Sequence, residues 1–424
     1  MSGNGRDGEV VVIGIGLAGL VAGLRLAEAG RSVRLLAKGV GSTHLSGGTV
    51  DVLGYAPARV LCPAGALPEF VAAHPDHPYA RIGTEVVGAA IEWLKGRMDN
   101  PRYVGDLSRN FLLPTALGVA KPSAVAPQTM AGGDVTRGGG FAIVGLPGLK
   151  DFYPGMVAGN LASAVGVAGE VIEARPVEVD VALDGRADVG PLAYAGRLDD
   201  PAFRAQLAAR LKGRLGEDEV VGMPAVLGLA DAEQVWEELE ARIGRPVFEI
   251  PTLPPSVPGI RLYRSLLGAL RRAGVRVAIG GEVVGAEIDG TRVTGVYTDA
   301  ANGARFHPAA GVVLASGGWA AGGLEMDSHW GLREPILGLP VTAVPEGVPR
   351  FRPGYFDHHP LARTGVAVDG SLRPVDGDGR VVFTNVRVAG ATLAGAEPWK
   401  EKSGDGLSLS TGYHAAMSLL AEEG

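Results

Sequence analysis

Cysteine is almost missing from this chain of 424 residues: Cys62 stands alone. One thiol closes no intramolecular disulfide and cannot supply the four thiolates that usually hold an iron–sulfur cluster. Electrons that leave this chain for a cluster must therefore reach another chain, and Cys62 reads as an inert loop or core residue. An excess of positive charge is missing too. There are 39 Lys and Arg against 46 Asp and Glu, a net charge of −7, and no basic tail. General nucleic-acid affinity needs many phosphate-neutralising cations, so this balance argues against it. Long apolar runs are also absent. The apolar stretch 10–24 is about 15 residues and is broken by four glycines, whereas a membrane span needs about 20 apolar residues. The first nine residues mix both charge signs and lack the pattern of a signal peptide. The expectation is a soluble, cytoplasmic protein that meets the inner membrane only peripherally, through its partners. No G-x-S-x-G and no P-loop lysine pattern occurs, so hydrolase and kinase readings have no support.

What is present is α/β patterning. Val10–Ile13 is a continuous apolar run that reads as a strand buried on both faces. A glycine loop follows, then a helix over about Leu17–Ala29, then a strand over Val33–Ala37. From Pro57 to Pro258, Pro and Gly are frequent, and amphipathic helices are predicted near Thr84–Lys95 and over Ala232–Ile243 after Asp231, a candidate N-cap. After Pro258 the α/β pattern returns: a helix over Arg261–Ala273, strands over Val275–Ile279, Val283–Ile288, Val293–Thr298 and Gly311–Ala315, and a hairpin at Asp289-Gly290. The expected fold is α/β: a discontinuous, Rossmann-like flavin-binding domain (1–56, 259–325 and 381–424) with an inserted α+β cap or substrate domain (57–258), which the chain revisits over 326–380.

Gly14-Ile15-Gly16-Leu17-Ala18-Gly19 fits the nucleotide-binding pattern G-x-G-x-x-G between a strand and a helix. The first glycine makes the turn, the second lets phosphate approach the backbone, and the third allows close helix–strand packing. Free N–H groups at the helix start then bind the anion. The acidic residue that usually follows about 20 residues on, to bond the adenosine ribose, is missing. Leu36-Ala37-Lys38 stands there, and Lys38 favours an extra phosphate or is solvated. That departure favours FMN and leaves FAD as the alternative. Next comes Gly41-Ser42-Thr43-His44-Leu45-Ser46-Gly47-Gly48-Thr49, whose hydroxyls and glycines suit contact with phosphate and an isoalloxazine ring. His44 either donates to flavin or substrate or is a solvated loop residue. Ser316-Gly317-Gly318 ends a buried strand beside the cofactor. Gly404-Asp405-Gly406-Leu407 precedes a helix over about Ser408–Glu422, whose N-terminus either faces the flavin pyrimidine or is simply capped by Asp405.

These residues resemble the fumarate-reductase-like flavoprotein superfamily and, within it, the B subunits of anaerobic glycerol-3-phosphate dehydrogenases. The likeness covers essentially the whole chain. It lies in 12–23, 41–53, 111–134, 253–262, 311–323, and 365–395 continuing into 404–416. The resemblance implies oxidation of sn-glycerol 3-phosphate to dihydroxyacetone phosphate, with electrons passed to the quinone pool. It implies FMN on this chain, a catalytic flavoprotein sister subunit, and an iron–sulfur subunit that anchors the complex to the membrane. Catalytic candidates are His44, His329 and Arg363; Lys121 and Arg137 are further cations for a phosphate. His358-His359 is a poor metal pair because adjacent side chains diverge, and no metal site is expected. Two rivals remain: a self-sufficient FAD enzyme of the fumarate-reductase type, and a non-catalytic assembly subunit.

Overall fold

The computed structural model describes residues 8–422, except 165–168, 182, 184, 186–187, 300–302 and the side chain of Arg137. Strand β1 (Val10–Ile13) is buried along its whole length, as its uninterrupted apolar run requires. Helix α1 (Leu17–Glu28) and strand β2 (Val33–Ala37) complete the first β-α-β unit. β1 lies at the centre of a parallel five-stranded sheet. The order is Arg276–Ile279, β2, β1, Gly311–Leu314, Val386–Val388. Strands from three distant parts of the sequence thus place their carboxyl ends side by side, where α/β sheets hold ligands. The terminal helix, Gly404–Ala421, crosses α1 closely. A Cβ at Gly412 would stand 2.4 Å from the Ala18 carbonyl oxygen.

A second sheet orders its strands Val247–Ile250, Glu219–Pro224, Gly139–Gly145, Ile172–Glu178. All three pairings are parallel, and helices such as Pro154–Ala162 and Ala232–Ile243 lie in the connections. The inserted segment also carries two antiparallel pairs, Tyr103–Gly105 with Val125–Pro127 and Phe111–Pro114 with Ala120–Ser123, beside this parallel sheet. Its edge strand Ile172–Glu178 (IEARPVE) is half exposed and carries a proline, so it lacks the apolar run that marks a buried parallel strand. The two sheets have separate apolar cores. Leu67, Tyr79 and Leu94, from helices that follow Pro57, join the core of β1; the second core runs from Leu112 to Val257.

The two cores meet through one buried ion pair. Arg261, on the helix Val257–Arg272, bonds both oxygens of Glu249 at 2.7 and 3.0 Å, with the two side chains 3% and 0% exposed. Glu249 also accepts from Thr129 Oγ1 and from the Leu227 N–H.

The helices predicted over Thr84–Lys95 and Ala232–Ile243 form as read, and Asp231 accepts from the Gln234 N–H at 3.2 Å. Other boundaries shift. The helix expected from Arg261 begins at Val257, where Ser256 is the N-cap. The hairpin turns on Gly290-Thr291, because Asp289 still pairs with Arg292.

Candidate functional site

Each glycine after β1 has a different physical reason to be glycine. Gly14 sits at φ +108°, and a Cβ there would meet the Ala315 carbonyl oxygen at 2.1 Å. A Cβ on Gly19 would meet the Gly14 carbonyl oxygen at 2.1 Å, so α1 could not lie against β1. A Cβ on Gly16 would meet no protein atom within 4 Å. Gly16 therefore faces space, and it is also the N-cap of α1, with no side-chain cap and no acid in the first turn. Leu17, Ala18 and Gly19 form that first turn. A helix start left bare in this way is suited to an anion.

The loop after β2 is gripped from two sides. Gly41, at φ +73°, lies against Ile15 and Gly16, with a Cβ contact of 3.0 Å to each. Ser42–Leu45 makes one short 3-10 turn. The helix Val257–Arg272 then holds the loop: the Ser256 N–H donates to the His44 carbonyl at 2.9 Å, and a Cβ on Gly259 would meet the Thr43 carbonyl oxygen at 2.3 Å. The Gly48 N–H donates to Ser46 Oγ at 3.1 Å, and the Gly48 carbonyl accepts from Tyr103 Oη at 2.6 Å. Gly47 lies against Pro251. The His44 ring stands edge-on to Tyr263, with centroids 4.4 Å apart, and its Nε2 has no hydrogen-bond partner among the described residues. Burial, and then the Arg264 charge, lower its pKa.

The terminal helix begins at Gly404, four residues before the expected start, and its N-cap is Ser403 rather than Asp405. Asp405 lies in the first turn, 3.4 Å from the donor Ser46 Oγ. Gly406 allows close approach: its N–H donates to the Asp51 carbonyl at 3.0 Å, and a Cβ there would meet Tyr79 Oη at 2.6 Å. Leu407 is buried and bonds back to Ser403. Behind this turn Lys121 bonds Asp51 at 2.6 Å and Thr49 Oγ1 at 3.0 Å, while Ser123 Oγ donates to Asp51 at 2.7 Å. Burial, and then the Asp51 charge, push the Asp405 carboxyl up to about 7. Lys121, read from sequence as a candidate phosphate ligand, is thus already paired. The side chain of Arg137 lies outside the described residues.

The residues fit a flavin nucleotide. Thr43 Oγ1, Ser316 Oγ and Trp319 Nε1 are buried polar atoms without partners among the described residues, all at the carboxyl edge of the first sheet. Such atoms are costly unless something bonds them. Gly317, at φ +88°, carries the chain past this edge, and its carbonyl accepts from Thr392 Oγ1 at 2.9 Å. Beyond Gly14 lies a hollow of about 270 Å³ lined by Leu36, Ala37, Lys38, Glu282, Val283 and Ile336. Lys38 is solvent-exposed and pairs with Glu282 at 2.9 Å. The place where sequence reasoning finds no acid after β2 is thus faced by Glu282, which lies just before the strand Val283–Asp289, 244 residues away along the chain.

A cleft of about 650 Å³ opens further along, lined by His74, Arg81, Thr342, His358, Arg363 and Gly395 among others. A second cavity of about 400 Å³ shares His74, His358 and Arg363 and adds Glu397 and Glu401. His358 Nδ1 pairs closely with Glu397, whose other oxygen accepts from the His359 N–H at 3.0 Å. Arg363 is therefore in a cleft. His329 is not: it sits in an exposed turn, bonded to Asp327 and Ser328. Sequence reasoning missed Glu397, Glu401 and His74, since nothing in their local pattern distinguishes them from surface residues. Among the described residues no group of three or more His, Cys, Asp or Glu side chains is placed to hold a metal ion.

A bare helix start beside a glycine turn, at the carboxyl edge of a parallel sheet, marks a nucleotide-binding fold of the Rossmann type, and its kinship makes the chain a flavin-dependent oxidoreductase. The family model described as "FAD binding domain" matches residues 9–407. The chain belongs to the family of anaerobic glycerol-3-phosphate dehydrogenase B subunits. It is 37% identical over 428 residues to a Halobacterium salinarum protein named as the B subunit of a probable anaerobic glycerol-3-phosphate dehydrogenase, covering 97% of each chain. It is 31% identical to the B subunit of the anaerobic glycerol-3-phosphate dehydrogenase of Yersinia enterocolitica, covering 97% of this chain and 98% of that one. Among solved structures, the 3-ketosteroid delta1-dehydrogenase of Sterolibacterium denitrificans aligns at a TM-score of 0.46 and 12% identity, covering 97% of this chain and 99% of that one.

Proposed function

We propose that this chain is the flavin-carrying B subunit of a complex that oxidises sn-glycerol 3-phosphate to dihydroxyacetone phosphate and passes the electrons towards the quinone pool. Near-full-length kinship with proteins of that name carries the reading. A flavin supplies the chemistry: it accepts two electrons together and releases them singly. The partners are a sister flavoprotein subunit and an iron–sulfur subunit. The lone Cys62 is consistent with clusters on another chain. Among the described residues no helix is long and apolar enough to cross a membrane, which is consistent with anchoring by a partner.

FAD rather than FMN is the proposed flavin. The family description supports it, as does the hollow between Gly14 and Val283, which is where the chain has room for an adenosine. Glycines 14, 16 and 19, with Leu17 and Ala18, would hold the diphosphate. Ser42, Thr43, Ser46, Gly47, Gly48 and Gly317 would line the rest of the cofactor, and Gly404, Asp405, Gly406 and Leu407 its ring end. We further assign the cap to about 111–257, following the second apolar core.

The test is to purify the chain, release its bound cofactor and identify it by mass. FAD is expected, and FMN alone would overturn that assignment. Glycerol 3-phosphate added anaerobically to the assembled complex should bleach the flavin absorbance; an unbleached, fully loaded complex would refute the substrate.

A further inference from the structure

The Arg363 side chain has no hydrogen-bond or ion-pair partner among the described residues, although it is half-buried where the two cavities meet. The other arginine of the cleft, Arg81, is neutralised by Asp76 at 2.8 Å. An unpaired guanidinium in a concave site is a fork of N–H donors awaiting an oxyanion. The same two cavities are lined by His358, a histidine held by a carboxylate. Glu397 is 2% exposed, and both its oxygens are occupied, one by the His358 ring and one by the His359 N–H. With Nδ1–H directed at Glu397, the neutral His358 ring presents Nε2 as an acceptor, and that atom has no partner among the described residues. The His358 side chain is 67% exposed, so a ligand can reach it.

A short segment links the cleft wall to the carboxyl edge of the first sheet. Thr392 donates to the Gly317 carbonyl, and a Cβ on Gly318 would touch the Ala391 carbonyl oxygen at 2.8 Å. Two residues further on, Ala394 and Gly395 line the cleft. One short segment therefore runs from the cofactor loop to the cleft wall.

We propose that this cleft is a substrate site for a small phosphorylated alcohol, in which Arg363 binds the phosphate dianion and His358, positioned by Glu397, accepts the proton of the alcohol. This rests on the reading of glycerol 3-phosphate as the substrate. Oxidation of a secondary alcohol removes a hydride from carbon and a proton from oxygen. The flavin is the oxidant that takes the two electrons, and the proton goes to His358 Nε2. Glu397 is a positioning residue: it fixes the tautomer and stabilises the imidazolium that results.

The test uses the flavin-loaded chain, and the complex with its partners. Inorganic phosphate titrated calorimetrically into the loaded chain should bind, and Arg363→Gln should weaken that binding by about 10- to 100-fold, the loss of a charge-assisted bond. In the complex the same variant should raise KM for glycerol 3-phosphate with kcat little changed, and Arg363→Lys should restore part of the affinity. His358→Gln should leave phosphate binding intact and lower kcat by about 100-fold or more. Glu397→Gln should lower kcat without raising KM. Undiminished phosphate binding and turnover in Arg363→Gln would overturn the site. If the complex ignores glycerol 3-phosphate while phosphate binding still depends on Arg363, the substrate reading falls and the anion site stands. If the complex turns over the substrate and all three variants match wild type, the site falls and the substrate reading stands.

Discussion

Gly16 and Gly19 are three residues apart and carry opposite risks. A side chain at Gly19 collides with the backbone of the turn, because its Cβ would lie 2.1 Å from the Gly14 carbonyl oxygen. Gly19→Ala should therefore destabilise the flavin-free protein by about 1–3 kcal/mol, the usual cost of overpacking. A side chain at Gly16 meets only open space. Gly16→Val should lose no more than about 1 kcal/mol, chiefly as a poorer N-cap, yet abolish flavin binding by filling the phosphate approach. Thermal unfolding and flavin fluorescence of both variants separate the two effects. Retention of flavin by Gly16→Val would remove the phosphate from this turn. His44 illustrates the same scale differently. A loop histidine beside a cofactor motif invites a catalytic role, and here the ring packs edge-on against Tyr263 with its pKa lowered by burial.

Among the elements, the terminal helix carries the most unusual chemistry. Its first turn holds Asp405 close to Asp51, with Lys121 bonded to the latter. The folded carboxyl titrates at about 7, against roughly 4 for an unfolded aspartate. Between those values the folded state keeps a proton that the unfolded chain has released. The stability from this group is therefore present below pH ~4 and is lost as pH rises through about 7. Asp405→Asn removes the titration. Its stability relative to wild type should climb between about pH 4 and 7 and then level off. Chemical denaturation of both proteins across that range checks this, and parallel stability curves would refute it. A carboxyl that holds a proton near neutrality, with Ser46 of the cofactor loop as its neighbour, also gives this helix start a charge that responds to what binds there.

The whole molecule is built around two parallel sheets with separate cores, and Arg261 meets Glu249 between them. The helix that carries Arg261 also clasps the loop at Thr43 and Ser46 through Gly259. The inserted sheet thus bears directly on the geometry of the cofactor loop. Breaking a fully buried pair leaves an uncompensated charge. Glu249→Gln should therefore cost about 3–5 kcal/mol. The paired change Glu249→Leu with Arg261→Met should recover only part of that loss, because it buries no charge but leaves the Thr129 hydroxyl, the Leu227 N–H and the Gly228 carbonyl without these partners. Urea unfolding of the three proteins measures both quantities. A single variant as stable as wild type would show that the pair does not hold the cores together.

The sequence by itself determined β1, the glycine turn, α1 and β2, since a buried strand, a tight turn and a helix start are local requirements of residues 10–37. It also determined the helices Thr84–Lys95 and Ala232–Ile243, whose apolar periodicity and caps are local. Ala37 is equally plain in sequence, and read locally it points away from an adenosine. Only the tertiary structure decided what stands beside it. Sheet order brings Glu282 to Lys38, and a fold that returns to the first sheet over 386–388 brings Glu397 and His358 to Arg363. Contacts of that kind depend on which distant strands become neighbours, and no short stretch of sequence carries that information.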